Sequence, residues 1–310
     1  MSTRESMAAD KYLQADDHRK YLQFTARQLA PFMRPPPEIL WHYTSGDALV
    51  RIPEGGTLFS TQIACLNDST EFTYARNVLF EALDEIKPVN DDDACILEKV
   101  LSNRPGGGPI TEGRFVTCFS AQADDLSQWR AYSGGENGYA IGFSGESLRL
   151  MFSNTDSHLL PVLYDESRQR CLAKELAEAT ARFFREAAEN HRGVRREYIG
   201  EEFLQTWSPY LTIFAPLVKH PSFAAEEEWR IVHTFTLQDV AQLLFKQKAT
   251  LLARHLPLDL RREGRMPLAK VLVGPSRHKE ISKVSVGDLL HKLGYNPAIA
   301  SVSQVPFQST

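Results

Sequence analysis

The spacing of apolar residues divides the chain into short strands and amphipathic helices. Runs rich in β-branched and aromatic residues predict strands at 39–43, 57–60, 114–120, 139–143, 159–164, 229–235, 268–274 and 298–302. Apolar residues at helical spacing predict helices at 47–52, about 68–86, 94–101, 124–132, 167–189, 196–214 and 280–293. A regular alternation of strand and helix is absent, which disfavours a doubly wound sheet. The pattern therefore predicts an α+β fold with a mixed or antiparallel sheet.

The segment before residue 39 is predicted to lie outside the main domain. Residues 16–32 carry apolar side chains at helical spacing, and three consecutive prolines at 35–37 end any helix there. We interpret residues 1–38 as an N-terminal helical appendage with a proline-rich linker, and residues 39–310 as the domain. The helices at about 167–214 are interpreted as a helical insertion in that domain.

Composition and charge are those of an ordinary globular protein. The chain has 310 residues, of which 43% are hydrophobic and 24% charged, and its formal net charge is −4. This mild negative charge argues against a broad nucleic-acid surface. Arg192, Arg195 and Arg196 leave open a local basic patch, although a solvated helix end explains the same cluster.

Cysteine usage and hydropathy predict a cytoplasmic protein. Cys65, Cys95, Cys118 and Cys171 show no close metal-ligand spacing, so we expect free thiols in a reducing cytosol. The N-terminus is polar, and no stretch approaches the roughly 20 apolar residues that a membrane span needs. We expect no membrane partner, and the oligomeric state is left open.

Common catalytic and nucleotide fingerprints are absent from the sequence. It has no Gly-x-Gly-x-x-Gly after a strand, no Walker loop and no Gly-x-Ser-x-Gly turn. No histidine pair has the His-x-x-x-His spacing of a zinc helix, so no metal is predicted. Candidate chemistry must come from residues that are distant in sequence.

Three separated segments combine polar and aromatic residues near predicted strand ends: Trp-His-Tyr-Thr at 41–44, Gln-Trp-Arg-Ala-Tyr at 128–132 and Glu-Glu-Glu-Trp-Arg at 226–230. Because a strand alternates its faces, Glu226, Glu228 and Arg230 are predicted to share one face. Such charges are costly to bury unless they are paired or used. A carboxylate there can bind a ribose hydroxyl or stabilise positive charge at a sugar carbon. An ion pair between Glu228 and Arg230 is the alternative.

The remaining polar candidates also have two interpretations each. His42 and Thr44 can bond a ribose or a phosphate, or they can pack at a strand end and cap a helix. Trp129 and Tyr132, three residues apart on a helix, can stack on a flat ring or belong to the core. Ser120 is equally ambiguous. Together these groups supply the hydroxyl-binding, stacking and carboxylate functions that a dinucleotide site needs.

The order of the motifs resembles a bacterial family called domain of unknown function 2971. The motifs are 41–44, Leu-Asn-Asp at 66–68 with Glu71, Cys-Phe-Ser at 118–120, Trp129 with Tyr132, Gly-Phe at 142–143 and 226–230. Two C-terminal segments, 271–275 and 303–307, resemble the family as well. The resemblance spans roughly residues 39–307.

That motif layout is similar to ADP-ribosyltransferases, in which a split β-sheet holds NAD in a cleft. The similarity implies an ADP-ribosyltransferase-like split sheet with flanking helices, and NAD as the substrate. It implies that Glu228 is the catalytic carboxylate, that Glu226 orients the acceptor, and that His42 binds the adenosine ribose or the amide side of NAD. The implied NAD-binding set is completed by Tyr43, Thr44, Ser120, Trp129, Tyr132 and Arg230, with Trp129 or Tyr132 stacking on nicotinamide.

These observations together predict an NAD-dependent ADP-ribosyltransferase or NAD glycohydrolase, of the kind that serves as a toxin or phage-defence effector. The acceptor, whether protein, nucleic acid or water, is left open. A non-catalytic module that binds a nucleotide or a peptide in the same cleft is the first alternative. A nucleic-acid-acting enzyme that uses the basic cluster at 191–196 is the second.

Overall fold

The computed structural model describes residues 30, 33–66, 69–87, 113–133, 138–153, 157–190, 214–235, 237–248 and 251–306. The strands are β1 Ile39–Ser45, β2 Thr57–Gln62, β3 Arg114–Ser120, β4 Gly138–Ser144, β5 Ser157–Pro161, β6 Glu228–Thr234, β7 Leu244–Gln247, β8 Leu252–Asp259, β9 Leu268–Val273 and β10 Ala300–Val302. The α-helices are α1 Gly46–Gly55, α2 Ser69–Asp84, α3 Leu126–Tyr132, α4 Gly145–Met151, α5 Glu166–Asn190 and α6 Lys279–Lys292.

The elements predicted within these ranges are found close to their predicted positions. The predicted helix at 94–101, nearly all of the one at 196–214 and most of the appendage before residue 38 lie outside the described residues. Ser45 caps α1 by accepting from the backbone N–H of Ala48, and Gly56 ends it in the left-handed conformation that glycine favours. Among the described helices, none is both long and apolar enough to cross a bilayer.

The chain divides into two compact units. One contains α5 and the part of α2 from Thr73 onward, and the other contains all ten strands with the remaining helices. In α5, the side chains of Leu172, Leu176 and Ala179 are buried, as their helical spacing predicts. The candidate site lies entirely in the unit that contains the sheet.

The sheet is mixed, since β9 and β10 pair in parallel and every other strand pair is antiparallel. The strand order is β10-β9-β4-β1-β3-β2-β8-β7, and β6 and β5 branch from it at β3. An α+β fold with a mixed sheet is therefore confirmed.

The sheet forks at β3. Along one edge, β3 pairs with β6 over its full length, from Arg114 to Ser120. Along the other edge it pairs with β1 only at Ser120 and with β2 only at Val116 and Phe115. Residues 117–119 consequently have no strand partner on that edge. This opening between β1 and β2, called the fork below, is where the candidate site lies.

The two faces of the sheet around the fork differ in character. On one face, Phe119, Trp229 and Ile231 belong to a large apolar core with residues of β1, β4 and β9. Each such fully buried side chain stabilises the fold by about 1.5–3 kcal/mol. On the other face, Cys118 and Ser120 of β3 lie beside Arg230 and Glu228 of β6. Because successive side chains of a strand point to opposite faces, β3 and β6 contribute to the apolar core on one face and to a polar site on the other.

Candidate functional site at the fork

The fork opens into a cavity of about 370 Å³. Aromatic side chains of β1, β2 and α3 line it together with ionisable side chains, many of which are buried. Trp41 and Tyr43 come from β1, Phe59 from β2 and Tyr132 from the end of α3. The volume and the mixture of flat rings with a few polar groups are typical of a small-molecule site.

Five charged groups converge at the floor of this cavity, four of them buried and Glu226 partly buried. We call them the acidic cluster: Glu71, Lys219, Glu226, Glu228 and Arg230. Arg230 donates from Nε to Oε1 of Glu228 at 2.7 Å and from Nη2 to Oε2 of Glu71 at 2.8 Å. Lys219 Nζ lies 2.9 Å from Glu71, 2.5 Å from Glu226 and 3.1 Å from Glu228. Three carboxylates thus face two cations.

The electrostatics of the acidic cluster keep Glu228 and Lys219 charged. Burial favours the neutral form of Glu228, but the positive charges of Arg230 and Lys219 outweigh burial and lower its pKa to about 2. Burial likewise opposes the charge on Lys219, and the carboxylates of Glu228 and Glu71 overcome it and raise the lysine pKa. Burial raises the pKa of Cys118, whose thiol remains protonated and hydrogen-bonds Glu228.

Acid is expected to weaken the fold through Glu228. Its pKa is about 2 in the folded protein and lies near 4.5 for an ordinary glutamate, so the unfolded chain takes up this proton first. The stabilisation from Glu228 is therefore complete above about pH 5 and is lost as the pH falls towards about 2. We expect the thermal midpoint of Glu228→Gln to fall less steeply than that of the wild type across this range, as measured by circular dichroism.

The matched control for this measurement is Glu280→Gln, because Glu280 is exposed in the first turn of α6. Its midpoint should follow the wild-type curve. A Glu228→Gln curve that also runs parallel to the wild type would contradict an acid-sensitive role for Glu228.

Glu228 and Glu226 differ in their capacity for a further ligand. Glu228 is 7% exposed, and its two carboxylate oxygens accept from Arg230, Lys219 and the Cys118 thiol. The side chain of Glu226 is 16% exposed, and it accepts from Lys219 at Oε2 and from Tyr132 at Oε1, the latter at 3.3 Å. Since each carboxylate oxygen has about two acceptor sites, Glu226 retains room for a substrate hydroxyl and Glu228 has little.

Glu226, Glu228 and Arg230 were predicted to share one strand face, and this holds only for Glu228 and Arg230. β6 begins at Glu228, so strand alternation relates Glu228 to Arg230 alone. Glu226 ends a short 3₁₀ helix, Pro221–Glu226, and Glu227 adopts a left-handed conformation with φ of 41°. This turn, rather than strand periodicity, brings Glu226 to the cluster. The ion pair between Glu228 and Arg230 that the sequence left open is present.

His42 lies in the fork as a neutral imidazole. Its Nδ1 is 3.0 Å from the carbonyl oxygen of Cys118, and because a carbonyl only accepts, Nδ1 carries the proton. Burial lowers the pKa of His42, which keeps Nε2 unprotonated. Nε2 has no partner among the described residues, so His42 presents an acceptor to the cavity that suits a hydroxyl better than a phosphate oxygen.

Ser120 and Tyr43 line the cavity but use their hydroxyl groups to hold its walls. Ser120 Oγ donates to the backbone carbonyl of Glu226 at 2.7 Å and accepts from the N–H of Gln122. The Tyr43 hydroxyl donates to the carbonyl of Gln122 at 2.8 Å and accepts from the N–H of Asp125. Both residues therefore position the segment that leads into α3 and, at its end, Tyr132.

Two predicted site residues lie outside the cavity lining. Trp129 is 4% exposed, packs edge-to-face on Tyr43 with ring centroids 4.7 Å apart, and donates from Nε1 to Asp124. The prediction that it is available to stack on a ligand is therefore wrong, whereas Tyr132, 40% exposed, is available. Thr44 is buried and does not line the cavity, and Ser45 rather than Thr44 caps α1.

Sequence reasoning did not assign Lys219 or Glu71 to the site. Lys219 follows the apolar run from Phe214 to Val218, and a lysine directly after such a run is a signal for a buried, paired ammonium group. Glu71 appeared in the family motif but had no role, because nothing in the first turn of α2 indicates its distant partner Arg230. Both belong to the charge balance of the acidic cluster. Within the described part of the chain, no group of three or more His, Cys, Asp or Glu side chains is arranged to hold a metal ion.

Comparison with known proteins supports part of the motif assignment. The model of one family, described as "Protein of unknown function (DUF2971)", matches residues 128–231, which confirms the resemblance over that segment. The match includes α3 and its Tyr132, together with Glu226, Glu228 and Arg230. No curated protein and no solved structure matches the chain.

Proposed function

We propose that the fork cavity binds NAD and cleaves its bond between nicotinamide and ribose, as an ADP-ribosyltransferase or an NAD glycohydrolase with an ADP-ribosyltransferase-like fold. The observation that carries this proposal is the combination of two acceptors, Glu226 and His42 Nε2, with an exposed tyrosine ring in one cavity. Ribose offers hydroxyl donors to both acceptors, and nicotinamide offers a flat cationic ring.

The charge of the acidic cluster suits this reaction. Its three carboxylates exceed its two cations by one negative charge, in a site largely removed from water. When the glycosidic C–N bond breaks, nicotinamide leaves with the electron pair as a neutral molecule and positive charge develops on the ribose. A fixed negative charge close to that carbon stabilises the transition state more than the ground state.

Within this proposal the residues divide the work. Glu226 accepts from a ribose hydroxyl and faces the developing charge, and His42 accepts from a second hydroxyl. The pKa of Tyr132 is raised by burial and by the charge of Glu226, so its hydroxyl stays protonated and donates to Glu226 while its ring contacts nicotinamide. Lys219, which also pairs with Glu228, holds Glu226 in place. Water or an acceptor nucleophile then attacks the ribosyl carbon and releases its proton to solvent or to Glu226.

The fork of the sheet is also what supports the proposed fold relationship. In the split sheet that the motif layout implies, a ligand enters where strands diverge, and here β1 and β2 diverge along β3. This topological feature and the order of the motifs support the proposed fold relationship.

One observation favours the first alternative, a non-catalytic binding module. Glu228, the carboxylate that the motif layout implies as catalytic, has both oxygens occupied by cations and a thiol. In a binding module, the ion pairs of this cluster would only hold the cavity walls in place. Such a module would bind a nucleotide without turnover. The second alternative depends on the basic cluster at 191–196, which lies outside the described residues.

Release of nicotinamide from NAD by the purified protein is the expected result that tests the proposal. It should be followed by chromatography, with and without cell lysate as a source of acceptors, and NAD binding should be measured by calorimetry on the same preparation. Binding without release supports the binding module. A folded protein that neither binds NAD nor releases nicotinamide would overturn the proposal.

A further inference from the structure

Phe59 and Lys248 line one side of the fork cavity, and a second lysine, Lys246, covers the Phe59 ring. We call Phe59, Lys246 and Lys248 the basic rim. Phe59 projects from β2 and is 41% exposed, and the ammonium group of Lys246 on β7 lies 3.8 Å from the centre of its ring. Lys248 follows β7, lines the cavity together with Phe59, and donates to the backbone carbonyl of Cys65 at 2.7 Å.

The basic rim has an excess of positive charge. Lys246 has no carboxylate partner among the described residues, and its pKa is lowered by burial and by the nearby positive charge of Arg51. Lys246 and Arg51 therefore place two positive charges close together at this rim. An anion would relieve this repulsion and regain the charge-assisted hydrogen bonds that Lys246 lacks.

His255 lies near this rim, and the positive charges of the rim lysines affect its pKa. It lies on β8, is 6% exposed and shares a hydrogen bond of 3.1 Å between its Nδ1 and Thr61 Oγ1, and Thr61 lines the cavity. Burial, followed by the charges of Lys246 and Lys248, lowers the pKa of His255 to about 4. Its Nε2 is buried and has no hydrogen-bond partner in the described structure. His255 is therefore a neutral histidine with an unused polar atom at this end of the cavity.

The cavity consequently has two ends of opposite character. At the acidic cluster, the cations Lys219 and Arg230 are both paired with carboxylates. Glu226 and Nε2 of His42 can still accept hydrogen bonds from ligand hydroxyl groups. At the basic rim, Lys246 covers an exposed ring and has no carboxylate partner among the described residues. A ligand that joins hydroxyl groups to an anionic group and a flat base matches both ends at once.

We propose that the basic rim binds the phosphate groups of a nucleotide whose ribose reaches Glu226 and His42. This assigns the substrate of the fork to phosphate-bearing nucleotides rather than to nucleosides, and it rests on the proposed nucleotide site. Lys246 moves from the face of Phe59 to the phosphate oxygens, which frees the ring for a base to stack on. Lys248 adds a second donor from the cavity wall.

The test compares ADP with adenosine, because the two ligands share base and ribose and differ in phosphate. Calorimetry should show ADP binding to the wild type at least about tenfold more tightly than adenosine, with an affinity that falls as salt is raised. Lys246→Gln should weaken ADP binding by about tenfold and leave adenosine binding unchanged. Lys246 lies on a strand whose residues are all exposed, so this substitution spares the fold.

Lys270→Gln is the matched control, because Lys270 is an exposed lysine on β9, in a strand away from the rim. Its affinity for ADP should equal that of the wild type. Equal binding of ADP and adenosine, or unchanged ADP binding in Lys246→Gln, would overturn the inference. Lys246 would then only pack on the ring of Phe59. ADP binding with no nicotinamide release from NAD would remove the proposed reaction and retain this site, so the two failures are distinct.

Discussion

Replacement of Glu226 by glutamine is expected to lower the rate of nicotinamide release from NAD by about 100-fold or more. The amide keeps the size and one acceptor oxygen of the side chain but removes the negative charge that faces the ribose. Because the side chain lies at the edge of the acidic cluster and is the most exposed of its three carboxylates, the substitution should cost the fold only about 1 kcal/mol. Turnover and the thermal midpoint should be measured on the same samples.

Glu228→Gln is the informative partner of this variant. Glu228 is tied to Arg230 and Lys219, so its loss should lower the midpoint of unfolding together with activity, by about 2 kcal/mol in stability. If Glu228→Gln abolished turnover at unchanged stability while Glu226→Gln remained active, the division of roles between the two carboxylates would be reversed. Equal activity in both variants and the wild type would exclude glycosyl transfer at this cluster.

Replacement of Arg230 by methionine is expected to destabilise the sheet unit by about 3–5 kcal/mol. The guanidinium is 1% exposed and pairs with Glu228 and Glu71, and its Nη1 donates to the carbonyl of Pro216 at 3.2 Å. Methionine fills much of the volume but leaves two buried carboxylates with Lys219 as their remaining cation. Urea unfolding followed by tryptophan fluorescence measures the loss, since Trp229 is buried next to Arg230 in β6.

A double variant separates charge from packing. Adding Glu228→Gln to Arg230→Met removes one of the carboxylates left without its partner, so the double variant should lose less stability than the sum of the single losses by at least about 1 kcal/mol. Lys270→Met, an exposed lysine on β9, should be close to neutral. Strictly additive losses would show that the size and shape of Arg230, rather than its ion pairs, hold this part of the sheet.

The strands around the site were predictable because their signals are local. β3 and β6 are dense in β-branched and aromatic residues, and both appear close to their predicted bounds. β7, β8 and α4 were not predicted, for physical reasons. Every residue of β7 is exposed, so it shows no buried apolar stripe, and Pro257 interrupts the pattern of β8. α4 begins with Gly145, a residue that disfavours helices.

The sequence indicated the segments that form the site but not the ion pairs between their residues. His42, Tyr132, Ser120 and the Glu-x-Glu segment, which the paired aromatic and polar motifs singled out, all line one cavity. Glu71 pairs with Lys219 and Arg230, which are distant from it in sequence, and a single chain carries no record of such contacts. Trp129 was misassigned because helical spacing places it three residues from Tyr132 without revealing that its ring turns inward against Tyr43.

The fork separates the shape of the cavity from its chemistry. Main-chain pairing determines the shape of the cavity. β1 pairs with β3 at Ser120, β2 pairs with it at Val116 and Phe115, and neither strand pairs with β3 between these points. Substituting an exposed lining side chain such as Tyr132 or Phe59 therefore changes which groups the cavity recognises while the opening itself is retained. Related chains could diverge in substrate by exchanging a few side chains at either end, on an unchanged backbone frame. Engineering of altered ligand preference should accordingly begin at the basic rim, where exchanges leave the buried charges untouched.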